Sequence, residues 1–167
     1  MVRAMHDPKQ LAADHLPTPF TAAEIRASCP PGRVLRFQHE RLGQPPLISV
    51  TRYLASDADT AIQESWQESV DGQPRSEPER EQSTWLELQQ HASFAAAATT
   101  CAEDYLETPA GGFDCLRYTR TDEHGLWRFW FAHKLPGQPV RFEQQVGEQV
   151  VFSATLIANT YAAPPGA

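Results

Sequence analysis

Leu126-Trp127-Arg128-Phe129-Trp130-Phe131 decides the fold of this 167-residue chain. Side chains alternate across a strand, so Trp127, Phe129 and Phe131 share one face, and Leu126, Arg128 and Trp130 the other. Aromatic residues on both faces predict a central strand covered from both sides. The Trp127 face is expected to pack against the helix that begins near Trp85. The Trp130 face needs a cover of its own: a loop, a second subunit or a ligand. Two readings follow. Trp130 is a bulky core filler with Arg128 reaching solvent, or it lines an apolar pocket on a concave side of the sheet, with Arg128 available to an anionic head group.

The segments around this strand continue the pattern. Cys101–Glu107 reads as a strand ended by Thr108-Pro109-Ala110-Gly111-Gly112, and Phe113–Thr121 as the next. The turn Asp122-Glu123-His124-Gly125 leads into a strand over Leu126–Lys134. After Leu135-Pro136-Gly137-Gln138, strands Val140–Val146 and Gln149–Asn159 are joined through Gly147-Glu148. Such short connections predict antiparallel neighbours.

Toward the N-terminus, Thr84-Trp85-Leu86-Glu87 fits a capping box, in which the hydroxyl and the carboxylate satisfy each other's free backbone donors. It opens the main predicted helix, Thr84–Phe94, with Trp85, Leu88, Ala92 and Ala95 as its apolar stripe. Gln73–Gln82, with Pro74, Pro78 and many charges, reads as a solvated loop. In Asp59–Val70 the residues Ile62, Trp66 and Val70 suit either a helix or one face of a strand; the hairpin dipeptide Asp71-Gly72 favours the strand. Leu47–Ala55 and Arg33–Arg41 form a predicted hairpin across Leu42-Gly43-Gln44-Pro45-Pro46. Thr21–Ser28 is a short helix opened by the capping box Thr21-Ala22-Ala23-Glu24 and stopped by Cys29-Pro30-Pro31-Gly32.

The expected fold class is α+β: a curved, mainly antiparallel sheet of about eight strands with one main helix packed on one face. Residues 1–19 are an irregular arm, 20–161 a single domain and 162–167 a flexible tail.

Composition excludes several function classes. The apolar fraction is 41% and the charged fraction 21%, ordinary for a globular protein. A net charge of −7 argues against nucleic acid or an anionic membrane as partner, because phosphate binding needs a basic surface. No apolar run approaches the ~18 residues of a membrane span. The first twenty residues lack the apolar core of a secretory signal, so the expected location is the cytoplasm. The three cysteines, Cys29, Cys101 and Cys115, show no CxxC spacing. Cys101 and Cys115 fall on neighbouring strands where they could face each other; the simplest reading is buried, reduced thiols.

No sequence motif marks a reaction. His39 and Glu40 are adjacent on a strand and point to opposite faces. Glu87 and His91 are one helical turn apart, a spacing common on solvated faces. His6-Asp7, Asp14-His15 and Asp122-Glu123-His124 lie in irregular or turn segments. GxSxG, P-loop, GxGxxG and HExxH patterns are absent. No catalytic residue, metal or cofactor is expected; an enzyme reading would rest on His39, His91 or Cys115 in a cleft.

The run CLRY…GLWRFWFAHKLPGQPVRFEQQVGEQVVFSATL, within 115–156, resembles the closing strands of the LolA/LppX-type lipoprotein-carrier half-barrels and their bacterial relatives. There a strand ending in W…A…LP…PV leads into a strand, a glycine turn and a long final strand. The Asp71-Gly72 hairpin and the helix before the last strands also fit, and the resemblance covers about residues 33–160. It implies a curved sheet with a hydrophobic concavity for acyl chains or another apolar ligand. The chain departs from that group in lacking a signal peptide and a lipobox cysteine, which bears on the transport role more than on the fold.

The expected function is therefore non-enzymatic binding of a small apolar or amphipathic ligand on the concave face of the sheet, with Trp130, Arg128, Tyr118 and Phe142 as ligand contacts. The alternative is a structural or interaction module that buries its aromatic face in a homodimer.

Overall fold

A computed structural model describes residues 6–161. The predicted tail at 162–167 and the first five residues of the arm lie outside that range. Helix α1 (Ala22–Ser28) precedes strands β1 (Arg33–Arg41), β2 (Leu47–Ser56), β3 (Thr60–Ser69) and β4 (Glu79–Thr84). Helix α2 (Trp85–Gln90) and a single 3-10 turn (Ala96–Ala98) lead to β5 (Thr99–Thr108), β6 (Gly111–Asp122), β7 (Gly125–Ala132), β8 (Arg141–Val146) and β9 (Gln149–Tyr161). The nine strands form one open sheet in the order β4-β3-β2-β1-β9-β8-β7-β6-β5. Every neighbouring pair is antiparallel. Two consecutive meanders, β1–β4 and β5–β9, are thus sewn together along the β1–β9 seam.

The antiparallel α+β class holds, with strands dominating more than the sequence pattern indicates. Among the described residues there are nine strands rather than about eight. The additional one, β4, begins inside the Gln73–Gln82 stretch whose prolines and charges read as a loop and runs on to Thr84. It is an edge strand whose Glu79, Arg80, Glu81 and Gln82 are all exposed, so it pairs with β3 through its backbone and carries no apolar alternation. The ambiguous segment before Asp71 is β3. The second difference is in the helices: α2 covers six residues instead of extending to Phe94. Beyond Gln90 the chain turns, and Ala95 is extended in an antiparallel bridge with His15, whose Nδ1 lies 2.8 Å from Ser93 Oγ. The arm takes over the backbone bonds that further helical turns would have made.

Both helices lie on the same face of the sheet. Both capping boxes form, through Thr21 with Glu24 and Thr84 with Glu87. Trp85 stacks on Tyr53 of β2 with ring centroids 6.4 Å apart, and its indole N–H donates to the Asp57 carbonyl at 3.0 Å. Phe94, just past α2, packs on Tyr118 and Phe129, at 5.3 and 4.9 Å. Phe20 meets the edge of Phe131. The buried Gln89 amide ties this cover together: it accepts from the Ala22 N–H and donates to the Pro8 carbonyl and the Thr18 hydroxyl. The Trp127 face was expected to pack against the Trp85 helix; its neighbours Phe129 and Phe131 instead meet Phe94, just past α2, and Phe20, before α1, while Trp85 itself sits on β2.

The opposite face is lined by ion pairs, most of them between strands. Arg117 pairs with Asp104, Arg128 and Arg141 both pair with Glu143, Arg36 pairs with Glu68, and Arg52 with Glu64. Arg128 and Glu143, and Arg52 and Glu64, stand directly opposite on neighbouring strands, where unlike charges stabilise the register.

Candidate ligand-binding cavity

The register places the expected contact residues on two different faces. Tyr118, Phe129 and Phe142 are successive cross-strand partners on the helix-covered face. Arg117, Trp130 and Arg141 form the next row and point to the other side. Trp130 and Arg128 therefore share no site with Tyr118 and Phe142. Trp130 is 7% exposed. Its indole N–H donates to Asp104 Oδ2 at 2.9 Å, and the Arg141 guanidinium lies 5.9 Å from its ring centroid. The chain's own side chains thus cover the Trp130 face. This bond to Trp130, then the Tyr105 backbone N–H and the Arg117 guanidinium, hold the Asp104 carboxyl below its ordinary value against the opposing effect of burial. Arg128 is engaged by Glu143 at 3.0 Å and Gln145 at 2.8 Å.

On the covered face, Tyr118 is a packing residue. It is buried between Phe94 and Phe131, and its hydroxyl donates to the Pro17 carbonyl at 2.8 Å. Burial raises its phenol well above the usual range. Phe142 remains half-buried and lines a cavity of about 380 Å³ beneath α2.

That cavity has an aromatic wall, a roof and a polar wall. Phe129, Phe131 and Phe142 come from β7 and β8, with Phe94 closing over them. Leu88, His91 and Ala92 form the roof, which the helical stripe positions over the sheet. Gln63, Glu81 and Ser83 make the polar wall. Tyr53, Gln63 and Glu81 are aligned across β2, β3 and β4, and Ser83 sits opposite Ala61. The β7–β8 connection contributes Gly137, Gln138 and Pro139 at one end. A mainly apolar hollow with a few polar groups converging on it is the usual form of a small-molecule site.

Of the four expected contact residues, Phe142 lines this cavity. Leu88 and Ala92 were legible as the apolar stripe of the expected helix Thr84–Phe94, of which α2 forms only the first part. Phe129 was legible by its face. Gln63, Glu81 and Ser83 had no local signal, because Glu81 and Ser83 belong to the strand hidden in a charged stretch.

The remaining titratable groups are dispersed. The Glu87 carboxylate accepts from the Thr84 N–H in its capping box, while His91 borders the cavity. His133 lies 2.9 Å from Glu103 at the surface. His39 packs edge-on against Phe152, and burial followed by the Arg41 charge lowers its pKa. All three cysteines are free; Cys29 and Cys115 are buried and Cys101 is exposed. Cys101 is partnered by Tyr118 and Cys115 by Asp104, so the two thiols point to opposite faces. Near the cavity's end, Cys29 Sγ lies 3.0 Å from Nη1 of the buried Arg33, which also donates to the Ser28 and Pro136 carbonyls. Among the described residues there is no cluster of three or more metal-ligating side chains, and no helix is long and apolar enough to cross a membrane.

Compared with known proteins, the chain matches no family model, no curated protein and no solved structure.

Proposed function

We propose that this protein binds one small apolar or amphipathic molecule in the cavity beneath α2, on a sheet curved around it. The observation that carries this reading is the hollow of about 380 Å³ between the phenylalanine wall of β7–β8 and the helix. Its size falls within the ~300–1,000 Å³ range of small-ligand pockets. The curvature is supported by strand order. β4 and β8 stand five places apart, which would be ~24 Å on a flat sheet at ~4.8 Å per strand. Residues of both line the same cavity. The resemblance of 115–156 to the lipoprotein-carrier half-barrels is in keeping with such a concavity.

Native mass spectrometry of protein purified without detergent tests for a carried molecule, and titration with the neutral probe N-phenyl-1-naphthylamine tests the site. The expected result is saturable fluorescence enhancement, weakened about tenfold by Phe142→Ala through loss of buried ring surface. Trp130→Phe, on the other face, leaves it unchanged. Absence of both added mass and probe binding would sink the proposal, as would probe binding indifferent to Phe142→Ala.

A further inference from the structure

The polar wall of the cavity carries more information than its apolar side. Gln63, Glu81 and Ser83 converge on one hollow, and none of their side chains has a hydrogen-bond partner among the described residues. The Gln63 Nε2 donor is also shut off from solvent. Buried polar groups in folded proteins are nearly always satisfied. The last torsion of a glutamine is soft. Rotation about it would aim this donor at an acceptor in the cavity that Gln63 lines.

The chemistry of the three groups defines what they would meet. The Gln63 amide N–H donates, the Ser83 hydroxyl donates or accepts, and an ionised Glu81 only accepts. Among the described residues no Arg or Lys lines the cavity; its basic group is the His91 imidazole in the roof, and its one carboxylate stands on this wall. A carboxylate or phosphate placed here would face Glu81 without a guanidinium or ammonium to offset it. A hydroxyl fits all three, accepting from Gln63 and Ser83 while donating to Glu81.

We propose that the cavity takes an amphiphile with a hydroxyl head, held by Gln63, Glu81 and Ser83, with its apolar body along Phe129, Phe131 and Phe142. This rests on the binding reading above and specifies its ligand class and orientation. Aromatic rings supply broad, non-directional contact to the body. Selectivity comes from the head, because a mismatched ligand leaves the solvent-shielded Gln63 donor unpaired.

Displacement of N-phenyl-1-naphthylamine by 1-decanol, methyl decanoate and decanoate at pH 8 tests it. All three have similar bodies. Decanol is expected to displace the probe at a concentration at least tenfold below decanoate. It should also outrank methyl decanoate, which is neutral but donates nothing. Glu81→Gln is expected to shrink the decanol-to-decanoate preference at least threefold. Gln63→Leu, which keeps volume on a face already apolar, should weaken decanol at least fivefold while the probe still binds. Equal displacement by the three ligands, or a preference untouched by both substitutions, would overturn the head-group assignment and leave the binding site standing. Failure of the probe itself to bind would overturn both.

Discussion

At the residue scale, Trp130 shows how one side chain is assigned its role by its neighbours. An exposed tryptophan on a free sheet face would advertise a ligand or a partner. Here the indole is covered by Arg141 and bonded to Asp104, so its contribution is to stability. Trp130→Phe removes a hydrogen bond to a charged acceptor and part of a buried ring. The expected loss is about 2 kcal/mol at pH 7, read from urea unfolding. The loss should depend on pH with a definite sign. Asp104 has its folded pKa held below the ordinary 3.8, so its bond contributes fully above that value and is lost as pH falls through the lower folded value. The gap between wild type and Trp130→Phe is therefore constant near neutrality and narrows below about pH 4. A gap that widens on acidification would contradict this account of Asp104.

At the element scale, α2 shows how little helix is needed when its ends are satisfied. Six residues in isolation would not form a helix, because nucleation costs more than so few bonds return. Two features hold this one. The Thr84–Glu87 capping box satisfies its first free donors, and Trp85 anchors it on Tyr53. Thr84→Ala is expected to destabilise the protein by about 1 kcal/mol. Because α2 roofs the cavity, the same substitution should weaken N-phenyl-1-naphthylamine binding. Loss of stability with unchanged probe affinity would mean that the roof does not depend on the cap. β4 teaches the complementary lesson. An edge strand can be specified by the strand beside it, since backbone pairing demands no side-chain pattern.

At the scale of the whole molecule, the β1–β9 seam decides whether two meanders become one fold. It joins Arg33 to Tyr161 and Arg41 to Phe152, residues far apart in sequence. Leu156, 1% exposed and opposite Phe37, lies in the middle of this seam. Leu156→Ala is expected to cost about 2–5 kcal/mol by leaving a cavity at a site with little freedom to collapse. Both meanders share the seam, so fluorescence and far-ultraviolet circular dichroism should report one coincident unfolding transition, shifted to lower urea. Separate transitions would show that the halves are stable without each other. Seam strands should also exchange their amide hydrogens more slowly than the edge strands β4 and β5.

The sequence by itself determined those elements whose cause is local. The two capping boxes, the Asp71-Gly72 and Asp122–Gly125 turns, the alternation of Arg33–Arg41 and the aromatic run at 126–131 each place an element by short-range chemistry. The remaining features depend on contacts made after folding. Facing was legible within a strand, but agreement between strands depends on register. A one-residue slip moves a side chain to the other face, and the pairing separates Trp130 and Arg128 from Tyr118 and Phe142. The length of α2 was set by a bridge from the N-terminal arm, and β4 by an edge that β3 left open. The cavity's polar wall combines residues 63, 81 and 83 with an aromatic wall at 129–142. No periodicity links those segments, because the sheet between them brings them together only after the chain has folded.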